Sequence, residues 1–370
     1  MTADKKGPLA GLKVLEIAGI GPTPFCGMLL ADLGADVVVV DRTVPNAQNI
    51  DLGSAAITQR GKRSMAADLK SPADVARVLD LVERCDVLIE GMRPGVMERL
   101  GLGPDICLKH NPRLVYGRMT GWGQQGPLAH AAGHDINYIA LSGALWYSSE
   151  PGEPPFSPPS LVGDMGGGAL YLAVGLLAAV TNARTTGDGQ VVDAAIVDGS
   201  AHMMNLLLSL KAAGEFTTTR GESVLDGPPW YATYRCSDGH FISLGSLEPK
   251  FYAELREKLG LADDPEFAQT REPKSWPDLK RRFGDLFAMR TRADWCVLLE
   301  GTDACFAPVL DPDEAARHPH MAARDIYREV DGVLQAAPAP RFSGTPASLP
   351  GSIRAVRTDA GEILDDWAFG

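Results

Sequence analysis

Two side chains in this sequence have the chemistry and the setting for proton transfer: His134 and Asp164. His134 lies in Gly133-His134-Asp135-Ile136-Asn137, at the start of an expected helix. A helix N-terminus favours the neutral imidazole, which can accept a proton. Asp135 is the better cap of the two, so capping accounts for Asp135 and leaves His134 without a structural task. Asp164 lies in Leu161-Val162-Gly163-Asp164-Met165-Gly166-Gly167-Gly168 and reads as the N-cap of a helix over 165–183. Three glycines in a first helical turn cost helix stability. Without side chains they would let another molecule's backbone or a flat ligand approach Asp164. A third carboxylate, Glu248 in Ser246-Leu247-Glu248-Pro249, ends an expected strand. It reads as a surface or capping group, or as the partner that orients an imidazole by accepting its second N–H.

Basic residues gather at Arg60-Gly61-Lys62-Arg63, Lys70, Arg93 in GMRPG and Arg118 in GRMTGWG. Arg93 and Arg118 each follow an expected parallel strand, and open α/β sheets place ligands at strand C-terminal ends. The set reads either as a phosphate-binding rim or as ordinary surface charge. The net charge of −12 means that the surface as a whole does not attract nucleic acid or an anionic membrane. An anionic ligand therefore needs a local basic patch.

These residues need a frame. The 370 residues suggest two domains, and 45% apolar with 22% charged residues allow a buried core. Strands are expected at 12–18, 36–41, 86–90 and 114–118, with helices at 25–33 and 73–84 between them. This alternation predicts a Rossmann-like α/β domain on a parallel sheet. Helices follow at 135–146 and 165–182, then a short strand at 190–196 and a long helix near 199–213. From Trp230 the texture changes to a hairpin turning at Asp238-Gly239, then helices at 250–259, 276–289 and 293–300. That predicts a smaller α+β domain, followed by an extended strap over 336–351.

The first strand-to-helix turn, Gly19-Ile20-Gly21-Pro22-Thr23-Pro24, with Asp41 about twenty residues on, invites a dinucleotide reading. Prolines supply no N–H for a pyrophosphate, and the third glycine is missing. A tight turn with proline in the first helical turn fits better. The six cysteines form no CxxC pair and read as free thiols, with no metal site expected. The apolar stretch 165–183 reads as a buried core helix, not a membrane span. The termini carry no recognised signal peptide or targeting tripeptide, and a cytoplasmic location is expected.

Taken in order, the motifs resemble the family III CoA-transferase (CaiB/BaiF-like) superfamily and, within it, the α-methylacyl-CoA racemases. They run from LAGLKVLEIAGIGP at 9–22 and DLGADVVVVDR at 32–42 through RGKRSMAADLK at 60–70 and GMRPGVMERLGLGP at 91–104. RMTGWGQQGP at 118–127, GHDINYIALSG at 133–143, GDMGGG at 163–168 and GQVVDAAIVDG at 189–199 follow. LDGPPWYATYRCSDG at 225–239, LEPKFY at 247–252 and GTDACFAPVL at 301–310 complete the set.

The resemblance implies proton exchange at C2 of a 2-methylacyl-CoA, with His134 and Asp164 on opposite faces and Glu248 paired with His134. His134 would act on the (S)-substrate and Asp164 on the (R)-substrate. An enolate oxygen would be held by backbone N–H groups at the start of the 165–183 helix. No prosthetic group is implied; CoA enters as the substrate's carrier, met by Arg42, Arg60, Lys62, Arg63, Arg93 and Arg118. The implied organisation is an interlocked homodimer. Residues 1–200 begin the large CoA-binding domain, 201–228 form a linker helix and loop, 229–320 the small domain, and 321–370 a return strap completing the large one.

The sequence departs from the racemase pattern at Val39, where a basic residue is usual, at Ser160, where Asn is usual, and at a shortened Gly227-Pro228-Pro229. Two other functions remain open. One is CoA transfer with Asp164 as covalent nucleophile; the other is a non-catalytic acyl-CoA-binding protein.

Overall fold

A computed structural model describes residues 6–44, 52–268, 272–347, 352 and 355–368. Their contacts divide into two compact units. One comprises 1–145, 157–203 and 324–370; the other comprises 146–156 and 204–323. The expected uninterrupted 1–200 segment thus gives up residues 146–156 to the smaller unit.

The larger unit is built on six strands: β1 (Lys13–Ile17), β2 (Asp36–Arg42), β3 (Arg63–Ala67), β4 (Val87–Glu90), β5 (Val115–Thr120) and β6 (Gln190–Ala195). They lie in the order β3-β2-β1-β4-β5-β6, all parallel, with the two-residue strand Val356–Arg357 on the outer edge of β3. The unbroken valines of β2 are buried throughout, as a strand covered on both faces requires. One face packs Cys26, Leu30, Leu172 and Leu176; the other packs Leu81, Met97, Ile363 and Trp367. The winding reverses between β1 and β4, which leaves a crevice at their C-terminal ends.

β3 is absent from the sequence reading, which took Arg60-Gly61-Lys62-Arg63 for part of a phosphate-binding rim or for ordinary surface charge. Apart from Met65 its side chains are small or polar, so no hydrophobic run announces it. Pairing to β2 from Val38↔Arg63 to Arg42↔Ala67 makes it a strand. The helices on this sheet include α1 (Pro22–Asp32), α2 (Pro72–Val82) and α3 (Asp135–Ser142). A wide-wound π-helical segment, Leu161–Leu170, runs on into α4 (Tyr171–Thr186), and α5 (Ile196–Met203) follows β6. The stretch 161–186 is long and apolar enough to cross a membrane, yet Leu172, Leu176 and Val180 on one side are buried in the sheet's core. The long helix expected near 199–213 is interrupted, giving Ile196–Met203 and Asn205–Ala212.

The 324–370 portion returns to this unit. Val356 and Arg357 pair with Arg63 and Ser64, and the helix Ala360–Ala368 buries Ile363 and Trp367. The Trp367 indole donates to Asp36 Oδ2 at 2.8 Å. Within the expected strap, a hairpin (Tyr327–Val330 with Val333–Ala336) precedes irregular chain; residues 348–351 lie outside the described residues.

In the smaller unit β7 (Tyr231–Arg235), β8 (Phe241–Gly245) and β9 (Phe306–Val309) form an antiparallel sheet. Its hairpin turns at Asp238-Gly239, where Gly239 takes a positive φ of 83°. Trp230, Tyr252, Phe283, Phe287 and Trp295 fill its core.

Candidate active site

A cavity of about 310 Å³ opens at the switch point of the parallel sheet. Four segments that follow strands reach it. Ile20 to Thr23 come after β1, Gly91 to Pro94 after β4, Met119 to Trp122 from the end of β5, and Ile196 after β6. His134, Tyr138 and Asp164 complete the wall, so both proton-transfer candidates face one space. The turn rejected as a pyrophosphate cradle is part of the lining. There Gly21 has φ 66°, and a side chain at this position would sit 3.5 Å from Asp164 Oδ2.

His134 is the N-cap of α3, and its own N–H donates to Asn137 Oδ1 at 3.0 Å. The ring is exposed. Behind it the Tyr138 hydroxyl donates to the Gly133 carbonyl, and the Tyr138 ring meets Trp122 edge-on with centroids 4.7 Å apart. Asp135 is not the cap. It occupies the first helical position, and its buried carboxylate accepts the Asp164 backbone N–H at 2.7 Å. This bond ties the two catalytic candidates together. Gly163 leaves the room, because a Cβ there would lie 2.4 Å from Asp135 Oδ1.

Asp164 is not an N-cap either. The helix begins at Leu161, capped by Ser160 at φ 60°, and Asp164 lies in its first turn. The wide winding shows in the Met165 N–H, which bonds to the carbonyl of Ser160 five residues back at 3.0 Å. Such segments concentrate at functional sites because they re-aim a side chain within a helix. Burial pushes the Asp164 carboxyl above the usual range, and the neighbouring Asp135 adds to this. The nearby Ser160 hydroxyl and His134 both pull it back. The amides expected to hold an enolate oxygen are therefore partly spent: that of Asp164 on Asp135 and that of Met165 on Ser160.

The glycines after Asp164 do not open a path for a ligand. They admit α5. A Cβ on Gly167 would lie 2.4 Å from Ser200 Oγ, and one on Gly199 would lie 1.9 Å from the Gly167 carbonyl oxygen. Two helix backbones touch there, and Asp164 is held at the end of that contact.

Of the six basic residues expected to meet CoA, Arg93 lines the cavity. Arg42 is exposed at the end of β2. The other four are turned to internal carboxylates, which is the physical reason that they do not form a rim. Arg60 grips Asp32 with bonds of 3.0 and 2.6 Å and reaches Gln335 and the Ala336 carbonyl. Lys62 is fully buried against Glu16 at 2.7 Å and also donates to the Pro24 carbonyl. Arg63 bridges Asp36 and Asp366, and Arg118 bridges Glu90 and Glu98. Val39 is buried in β2. Glu248 belongs to the smaller unit, exposed, where it caps the helix Pro249–Lys258. Among the described residues no group of three or more His, Cys, Asp or Glu could hold a metal ion.

The cavity also contains residues that sequence reasoning did not single out. Thr23, Trp122 and Tyr138 fall in otherwise ordinary helix and loop positions. Only the clustering of Gly121 and Gly133 hints at them: a Cβ on either would collide with the Tyr138 ring.

The profile of CoA-transferase family III matches residues 9–356. α-Methylacyl-CoA racemase of Mus musculus is 41% identical over 365 residues, covering 98% of this chain and 93% of that protein. α-Methylacyl-CoA racemase of Homo sapiens is 42% identical over 367 residues, covering 98% and 94%. The crystal structure of a CAIB/BAIF family protein from Brucella suis is similar with a TM-score of 0.82 at 25% identity, covering 98% of this chain and all of that one.

Proposed function

The chain belongs to CoA-transferase family III, and on that premise we propose that it is an isomerase interconverting (R)- and (S)-2-methylacyl-CoA thioesters. The observation that carries this reading is one cavity lined by both His134 and Asp164. A single base would suffice for one-sided exchange; inversion needs an acceptor on one face and a donor on the other. The 41–42% identity to two α-methylacyl-CoA racemases supports the same choice.

In this reading His134 takes the C2 proton of the (S)-thioester, and the C2–H electron pair moves into the enolate. Protonated Asp164 then returns a proton to the opposite face. With the (R)-thioester, ionised Asp164 takes the proton and the imidazolium of His134 returns one. The raised proton affinity of Asp164 suits both roles, because a carboxyl closer to neutrality gives up and accepts protons more evenly. The enolate oxygen needs a donor other than the Asp164 and Met165 amides. Arg93 is the cationic side chain that fits the anionic part of CoA, with Arg42 near the adenine end. Glu248 would orient His134 in the assembled enzyme.

We further propose a homodimer. Ile136 and Leu141 on α3, together with Leu161, Leu170 and Val174, expose large apolar side chains that a second copy would cover.

The test is a single-enantiomer 2-methylacyl-CoA incubated in D2O without an acceptor acid. Loss of optical activity with α-deuterium uptake is expected. Absence of exchange, with CoA transfer once a second carboxylic acid is added, would assign Asp164 the role of nucleophile instead. Binding without either reaction would leave a non-catalytic acyl-CoA-binding protein.

A further inference from the structure

Arg118 stands on β5 beside the cavity without lining it, and its side chain is 9% exposed. Its Nε donates to Glu90 Oε1 at 3.0 Å. Its Nη1 and Nη2 donate to the two Glu98 oxygens at 2.8 and 3.4 Å. Glu90 is the buried last residue of β4, and its other oxygen accepts the Met92 N–H at 2.6 Å. Glu98 belongs to the short helix Val96–Arg99. One guanidinium therefore grips the chain on both sides of the segment 91–95.

That segment brings Met92, Arg93 and Pro94 to the cavity. It rests on α1 so closely that a Cβ on Gly91 would lie 2.4 Å from Thr23 Oγ1, and it turns at Gly95 with φ 80°. Among the described residues the Arg93 guanidinium has no carboxylate partner, whereas Arg118 has two. We propose that Arg118 is a positioning residue: through Glu90 and Glu98 it holds the 91–95 loop so that Arg93 is presented, already ordered, to the anionic part of the acyl-CoA.

The identity of the ligand rests on the function proposed above. The physical basis is pre-organisation. A loop ordered before binding does not lose its freedom at the moment of binding, and affinity rises by that difference. The planar fork of arginine can bond two carboxylates at once, which a lysine ammonium cannot do with the same geometry.

The experiment measures the Kd of CoA by calorimetry for wild type, Glu98→Gln, Arg93→Ala and the double variant. Glu98 is exposed enough for its variant to fold. Glu98→Gln is expected to weaken CoA binding roughly fivefold, and the double variant to bind no more weakly than Arg93→Ala alone. Losses that multiply, or an unchanged Kd in Glu98→Gln, would overturn the proposal. Arg118→Lys keeps the charge and loses the fork; it should match Glu98→Gln, and wild-type affinity in it would equally overturn the proposal. Wild type that binds CoA yet exchanges no α-proton would defeat the racemase reading and leave this one standing. Independent losses in protein whose exchange is intact would defeat this one alone.

Discussion

In the sequence His134 stood out because capping explained Asp135 and left it over, whereas Asp164 read first as an N-cap and stood out only through the glycines that follow it. The reasons differ from those the sequence suggests. Neither Asp135 nor Asp164 is a cap; Asp135 is the link that holds Asp164 by its backbone. Removing the imidazole should therefore remove chemistry without disturbing the fold. His134→Ala is expected to lower the inversion rate about a thousandfold or more, with an unchanged melting temperature. Chiral chromatography of the product reads the rate; a rate near wild type would exclude His134 from the reaction. Ser160 matters through Asp164. Its hydroxyl lowers the affinity of Asp164 for its proton, so Ser160→Ala should raise that affinity further. In the proposed reaction the ionised carboxylate is the base for the (R)-thioester. The acid-side fall in rate with (R)-substrate should then begin at a higher pH than in wild type, and the base-side fall with (S)-substrate, which needs Asp164 protonated, should also move to higher pH. Identical (R)-profiles would show that the Ser160 hydroxyl has no bearing on Asp164.

Among the secondary-structure elements, the sequence disclosed what has a period and concealed what depends on a distant partner. The valines of β2 and the helices around them were legible. β3 was not, because its basic start reads as a phosphate-binding rim or surface charge until Asp32, Asp36 and Glu16, 27 to 46 residues away, are brought against it. Buried ion pairs of this kind give no local signal. The glycine run after Asp164 was noticed but misread, since only the fold shows that α5 fills the space. Alanine in a helix interior ordinarily stabilises by about 1 kcal/mol relative to glycine. Gly199→Ala should do the reverse and destabilise by roughly 1–3 kcal/mol, because its Cβ would meet a carbonyl that cannot yield. Differential scanning calorimetry decides the sign. At the end of β4, burial raises the Glu90 carboxyl to about 7 despite the opposing Met92 amide and Arg118. The native state then holds a proton that the unfolded chain releases near the ordinary 4.5. Stability from this group is complete below that value and declines as pH rises through about 7. Glu90→Gln should flatten the fall in stability between pH 5 and 8, measured by urea unfolding; an unchanged slope would mean that Glu90 is ionised throughout.

For the molecule as a whole, the α/β class followed from the alternation of strands and helices in the first half, and the two-part organisation from the switch of texture near Trp230. The membership of residues 146–156 did not, since eleven residues without periodicity carry no sign of the unit they join. The closing of the sheet by the 324–370 portion was implied by resemblance alone. It involves Val356 and Arg357 against β3, Trp367 in the core, and the Asp366 and Trp367 side chains against Arg63 and Asp36. Deleting residues 355–370 should therefore cost more than the 3–5 kcal/mol of a single buried tryptophan. Near-complete loss of cooperative unfolding of the larger unit is the expected outcome by circular dichroism. A truncated chain that melts like wild type would mean that the edge strand and final helix contribute nothing to the sheet.

That return of the chain has a consequence for how the protein comes into being on the ribosome. The smaller unit is synthesised whole while the larger sheet still lacks its outer strand and the helix covering Met65, Val78 and Leu81. Until residues 355–368 emerge, the free edge of β3 and that apolar face have no native cover. A nascent chain in this condition is open to pairing with the wrong neighbour. The residues that complete the sheet's outer edge thus arrive only after the whole of the smaller unit. The pace of translation between the end of the smaller unit and residue 368, and any chaperone that shields β3 meanwhile, would govern how much of the synthesised protein reaches its folded state.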